Sequence, residues 1–274
     1  MSDVKATAQL TGCNARRRRQ SEVFMGSMLS IDDVHLWWAS TSVPEGACNV
    51  LSEVLSPAEH ERAARFVFAR DRRRFVVTRA MLRSILARYL GRLPQEICFQ
   101  YERHGKPRLR AADSGAGLEF NLAHSHELVL YAVSRGRHVG VDVEHLQPVA
   151  DLEQIAAVAF SHSEQATLSA LACEQQVIGF FNCWTRKEAY VKARGDGLLM
   201  PLDAFDVSLA PGEPAMLLAN RLDPYEVVRW SLYTVSPADG YVGALAVQGQ
   251  GARIYLRQWN WARANCMATA VQLR

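Results

Sequence analysis

Lysine is scarce in this chain. Of its 31 basic residues only Lys5, Lys106, Lys187 and Lys192 are Lys, and the remainder are Arg. Drift can explain a chain that writes positive charge as Arg, but not why a few positions stay Lys. Arg is a planar fork that keeps its proton, whereas Lys is a compact point charge. Long apolar runs are missing too: no stretch of about 18 such residues exists, which excludes a membrane-spanning helix. The six Cys (13, 48, 98, 173, 183 and 266) form no C-x-x-C pair and have no His at metal-ligand spacing. A disulfide framework and a structural zinc site are thereby excluded, and reduced, mostly buried thiols are expected. Neither G-x-G-x-x-G nor G-x-x-x-x-G-K-[ST] occurs, so dinucleotide and P-loop folds lack their signature. A one-sided charge is absent as well: 31 basic against 28 acidic residues leave a net charge of +3, which argues against a nucleic-acid-coating protein.

What is present suits a globular protein with a substantial core: 274 residues, 49% hydrophobic and 22% charged. That length holds one large domain or two modest ones. Residues 1–28 stand apart. Arg16 to Arg19 run together, but no apolar segment follows, so this is no secretory signal. The segment reads as a disordered tail, and the protein as cytoplasmic.

Ile31 to Trp38 predicts a strand and Pro44 to Cys48 a turn. Ser56-Pro57-Ala58-Glu59 starts a helix, with Ser at the N-cap, Pro at N1 and Glu closing a capping box. A second helix follows Asp71 and stops at Gly91. Ile97–Tyr101, Leu118–Leu122 and Leu128–Ser134 predict strands. After a break at Gly136, His138 to Glu144 alternates strictly. Helices are expected over about 151–159, 163–172 and 175–193, then strands at Phe205–Leu209, Val227–Val235, Tyr241–Val247 and Ala252–Trp259. This order predicts an α+β protein of two halves, 29–135 and 136–250, with a C-terminal extension at 251–274.

Three segments and one basic cluster carry chemistry. On the strand Gly140-Val-Asp-Val-Glu144, the Val side chains face one way while Asp142 and Glu144 face the other. Two carboxylates so close repel unless a cation lies between them, and hard oxygen donors suit Mg²⁺ or Mn²⁺. Such a pair alone also fits an ordinary wet acidic strand. In Trp184-Thr-Arg-Lys-Glu-Ala-Tyr-Val-Lys192, positions 184, 188 and 192 share one helix face, which also fits a plain surface pair. Phe120-Asn-Leu-Ala-His-Ser-His126 ends a strand with two His and a Ser, either a loop that binds phosphate or a simple polar turn. Ser125 lacks the elbow of a serine hydrolase. The cluster Arg70 and Arg72–Arg74, with Arg62 and Arg65 upstream, is either a phosphate clamp or a solvated face.

Together with Gly105-Lys106-Pro107 and Gly197-Leu-Leu-Met-Pro-Leu-Asp203, these segments resemble, in order and spacing, the 4′-phosphopantetheinyl transferases of the surfactin-synthetase-activating type. The resemblance covers residues 55–206 closely and reaches about 247. It implies two similar α/β halves related by a pseudo-twofold, with a coenzyme A cleft between them. It also implies a monomer that moves the phosphopantetheine arm of coenzyme A onto a Ser of an acyl or peptidyl carrier protein, releasing 3′,5′-ADP. Asp142, Glu144 and Glu188 would hold Mg²⁺. Arg62, Arg74, Lys106 and His124 would meet the adenylate end and 3′-phosphate, and Lys192 the pyrophosphate. Lys187 joins these as a cofactor-binding residue. Glu188 is the expected base and Lys192 the group that stabilises or protonates the departing phosphate. One departure is Ala123, where many relatives have Ser. The rival readings are an Arg-rich nucleic-acid-binding protein and an inactive coenzyme A-binding module. Three of the four Lys fall inside the matched motifs, and this suggests that each serves the coenzyme A site.

Overall fold

A computed structural model of the protein describes residues 29–101, 107–110, 117–195, 197, 200–260 and 271–273. The 1–28 segment, Lys106, and the Cys at 13 and 266 lie outside the described residues. Strand β1 (Asp33–Ser40) pairs antiparallel with β5 (Leu128–Arg135), which pairs with β4 (Leu118–Ser125). The other flank of β1 takes β11 (Arg253–Gln258) in parallel, followed by β12 (Val271–Leu273). The end of the chain thus returns to the sheet begun by its first strand. A second sheet has the order β6 (Val139–His145), β10 (Tyr241–Gln248), β9 (Trp230–Val235). Two small hairpins complete the strands: β2 (Phe99–Tyr101) with β3 (Pro107–Leu109), and β7 (Phe205–Val207) with β8 (Leu217–Asn220).

Helix α1 (Glu45–Ser52) occupies the stretch expected to be a turn. Its eight residues begin after Pro44, so the punctuation was visible but the following helical turns were not. Helix α2 (Pro57–Ala64) starts as the sequence requires: the Glu59 backbone N–H donates to Ser56 Oγ, and the Ser56 N–H donates to Glu59 Oε2. Helix α3 (Ala69–Leu90) ends at Gly91, whose φ of 62° is the left-handed conformation that Gly adopts without strain. In the second half, α4 (Leu152–Ala159), α5 (His162–Ala170) and α6 (Cys173–Arg194) lead to the short α7 (Glu226–Arg229). The α7 turn takes the start of the expected strand 227–235, leaving β9 shorter.

Strand alternation builds the layers. Trp37, Val129, Tyr131 and Val133 pack with Val77, Met81 and Ile85 of α3. The opposite face, Val34, Leu36, Leu128, Leu130 and Ala132, meets Val139, Val141 and Val143 of β6 and Leu245 and Val247 of β10. Each such fully buried aliphatic contributes roughly 1.5–3 kcal/mol relative to exposure. The far face of the second sheet packs on α6. The order is therefore helix, sheet, sheet, helix. Gly140 makes the last layer close: a Cβ there would sit well under 3.0 Å from the Ala189 carbonyl oxygen and the Ala193 amide. Only glycine lets β6 approach α6 so nearly, and that approach brings Asp142 to Lys192.

Candidate functional site

Two elements supply the centre of the site. The valines of β6 face the inter-sheet core, so Asp142 and Glu144 face α6 as the alternation predicts. Helix α6 presents Trp184, Glu188 and Lys192 along one side. The Lys192 ammonium lies 2.6 Å from Asp142 Oδ1 and 3.8 Å from Glu188 Oε2. Asp142 is 5% exposed, while the Lys192 side chain is 31% exposed. Burial pushes the Asp142 carboxyl up to about 7. Lys192 opposes that rise, and Glu144 and Glu188 add to it. Glu144 is half-buried, and its Oε2 accepts a 2.7 Å bond from the Ser125 hydroxyl.

The donor set fits a hard divalent cation. Three carboxylates offer oxygen ligands of the type Mg²⁺ and Mn²⁺ take. The buried Oδ2 of Asp142 has no hydrogen-bond partner among the described residues and so offers an acceptor to a cation. Among the described residues no three His, Cys, Asp or Glu groups converge closely enough to hold a metal ion by themselves. An open set suits Mg²⁺, which keeps waters and substrate phosphates among its ligands.

A cleft of about 1120 Å³ runs beside this centre. Glu188 and Lys192 form part of its wall. Phe120 and Leu122 of β4, Val158 of α4 and Trp184 of α6 make much of the remainder apolar. Pro107, next to Lys106 in sequence, also lines it. His124 projects from the end of β4. Its imidazole is held below the ordinary range by partial desolvation, then by the Arg74 charge; Lys192 acts the same way and Glu144 opposes. His124, Arg74, Lys192 and Glu144 therefore share one electrostatic neighbourhood. Arg74, in the first turns of α3, donates to Asp71 at 2.8 Å and lines a smaller recess of about 310 Å³ with Arg70, Arg73 and His126. Arg62 is exposed and lies over the rings of Phe75 (5.4 Å) and Tyr101 (5.8 Å). It sits with the N-terminal wall rather than with the acids.

Lys187 corrects the sequence expectation. It is 1% exposed and lies on another side of α6, about 100° round from Glu188. Its ammonium donates to the carbonyls of Leu202 and Phe205, each at 2.7 Å, and pairs with Glu164 at 2.8 Å. All three of its hydrogens are used in the core, so it is a structural cation and not a cofactor contact. Its place beside Glu188 in a matched motif points to the cofactor site; its helix angle is the signal against. Asn121, Ser125 and Arg79 went unassigned. Asn121 is 6% exposed, and its Oδ1 accepts from the Val141 amide at 2.9 Å. Its spacing of four from Ser125, which places both on one strand face, was the available clue. Arg79, also in the cleft wall, stacks over Phe75, Phe99 and Tyr101. Among the described residues no helix is long and apolar enough to cross a membrane.

Comparison with known proteins gives two adjoining matches. Residues 138–246 match the family model described as the 4′-phosphopantetheinyl transferase superfamily. Residues 39–136 match the model described as 4′-phosphopantetheinyl transferase, N-terminal. The 4′-phosphopantetheinyl transferase HetI of Nostoc sp. is 43% identical over 220 residues, which is 80% of this chain and 90% of that protein. The 4′-phosphopantetheinyl transferase Sfp of Bacillus subtilis is 30% identical over 184 residues, 67% of this chain and 78% of its own length. The transferase gsp of Aneurinibacillus migulanus is 29% identical over 185 residues, 68% and 75% of the two chains.

Proposed function

Given that the chain belongs to the 4′-phosphopantetheinyl transferase superfamily, we propose that its cleft binds coenzyme A and that Asp142, Glu144, Glu188 and Lys192 carry the transfer. The enzyme moves the phosphopantetheine arm onto a carrier protein. The acceptor is a Ser hydroxyl and the second product is 3′,5′-ADP. The observation that carries this reading is the meeting of Lys192 with Asp142 and Glu188 at the edge of the cleft, 2.6 and 3.8 Å apart.

Ser oxygen attacks the phosphorus attached to the arm. The new P–O bond forms as the bond to the 3′,5′-ADP oxygen breaks. Such reactions depend on positioning and charge neutralisation more than on covalent help from the protein. Mg²⁺ or Mn²⁺, held by Asp142, Glu144 and Glu188, supplies charge neutralisation at the pyrophosphate when bound. Glu188, 24% exposed, takes the Ser proton directly or through a water. Lys192 holds the departing phosphate and can give it a proton, which Arg cannot. His124, Arg74, Arg62 and Lys106 contact the adenylate end and the 3′-phosphate.

The reading extends to the whole molecule. The two halves, 29–135 and 136–250, are related by a pseudo-twofold, and coenzyme A lies between them. The pairing of one 22-residue helix with one sheet in each half supports this. Beyond residue 250 the chain returns to the sheet of the first half through β11, and the protein works as a cytoplasmic monomer. The test incubates the protein with apo acyl and peptidyl carrier proteins, coenzyme A and Mg²⁺, then measures the mass of each carrier. A gain of one phosphopantetheine arm is expected. No gain on any carrier contradicts the reading.

A further inference from the structure

The edge strands of the two sheets, β4 and β6, share no backbone ladder. Side chains from β4 cross the gap instead. The Val141 N–H donates to Asn121 Oδ1 at 2.9 Å, and the His145 N–H donates to Ser125 Oγ at 3.1 Å. Both pairs are separated by 20 residues, so the strands lie side by side in a parallel sense, pinned at two points four residues apart. Asp142 and Glu144 fall between the pins. Ser125 does more than hold backbone, because its own hydroxyl donates to Glu144 Oε2 at 2.7 Å. One hydroxyl thus fixes the strand's end and the carboxylate beside it, and Oε1 of Glu144 is left outside that bond. Ser125 also follows His124 directly, so the same turn of chain connects the expected phosphate contact to the carboxylates.

We infer that Ser125, with Asn121 as the second pin, is a positioning residue that presets Glu144 and its strand to receive the divalent cation. The inference rests on the transferase reading of the site and adds residues that reading does not use. A carboxylate free to rotate must be ordered as the cation binds, whereas one already hydrogen-bonded is held in place. Outer partners of this kind typically change metal affinity by 10–100-fold. The effect should therefore appear in metal affinity rather than in the rate at saturating metal.

The test compares Ser125→Ala and Ser125→Thr with the native enzyme, using Mn²⁺ as the probe in the presence of coenzyme A. Mn²⁺ affinity is read by electron paramagnetic resonance. The half-saturating metal concentration and the saturated kcat come from transfer assays, and thermal unfolding is followed without metal. Ser125→Ala should weaken Mn²⁺ binding about 10-fold or more and raise the half-saturating concentration in parallel, with kcat at saturation within about 3-fold. Ser125→Thr keeps the hydroxyl and should restore affinity. Should the Ala variant fail to fold, Ser125→Cys replaces it, since a thiol donates only weakly; the same loss of affinity is expected. Native Mn²⁺ affinity in the Ala or Cys variant overturns the inference, as does an equal loss in the Thr variant. Absence of transfer by the native enzyme would contradict the transferase reading instead, and the Mn²⁺ comparison separates the two failures.

Discussion

The Lys192 ammonium lies 2.6 Å from Oδ1 of Asp142 and joins the last turns of a 22-residue helix to the middle of a strand. A cation therefore already stands among the carboxylates, and it belongs to the residue expected to meet the coenzyme's phosphates. Lys192→Arg tests whether charge alone is enough. The guanidinium keeps the charge but is larger and does not release its proton. Transfer should fall by roughly 10²-fold, measured as the initial rate of carrier mass gain. A native rate would remove Lys192 from the proton-transfer role.

Lys187, although adjacent to Glu188, should behave as part of the core. Lys187→Met leaves Glu164 buried without its cation, together with two carbonyls that lose a donor. Breaking a buried pair from one side costs about 3–5 kcal/mol. Urea unfolding should show that loss, while the KM for coenzyme A of the folded fraction stays within about 2-fold. A native unfolding midpoint with a raised KM would return Lys187 to the cofactor site.

Gly140→Ala should separate β6 from α6. The added methyl meets helix backbone, which cannot rotate aside as a side chain can. A destabilisation of about 3 kcal/mol or more is expected, read by circular dichroism and denaturant titration. A stable, active variant would show that the strand and helix have room to move apart.

How much of this was legible follows from which interactions are local. The Ser56 cap and the split between the valines of β6 and its two acids depend on neighbours in sequence, and the sequence alone predicts them. The face shared by Trp184, Glu188 and Lys192 follows from helix periodicity in the same way. The pairing of β11 with β1 was not legible, because it joins residues such as Asp33 and Arg253 across 220 positions. Nor was the orientation of Lys187: periodicity gives its angle on the helix, but only the fold reveals that Glu164 and the β7 region fill that side. Ser125 and Asn121 read as motif residues without a task until β6 came alongside β4.

That same β1–β11 pairing predicts a pH effect remote from the cleft. Arg257 donates to His35 Nε2 at 3.2 Å, so this nitrogen must be the acceptor; Nδ1–H then donates to Tyr89 Oη at 2.7 Å. Burial first and the Arg257 charge second, against the opposing Asp33, bring the His35 imidazole down from 6.5 to about 4. Between those values the unfolded chain binds a proton that the native state refuses, so stability is complete above about 6.5 and falls as pH drops toward 4. The loss is at most about 3 kcal/mol. Unfolding free energies from pH 7 to 4.5 should fall less steeply for His35→Gln than for the native chain. Parallel profiles would contradict the assignment.

The most direct test of the central claim sets the native protein beside Asp142→Asn and Glu188→Gln, with an apo carrier protein, coenzyme A and Mg²⁺, and follows carrier mass over time. The native protein should add one phosphopantetheine arm, while both variants keep native circular dichroism and lose at least about 10²-fold in rate. Near-native rates in both variants would contradict the assignment of these carboxylates to the reaction.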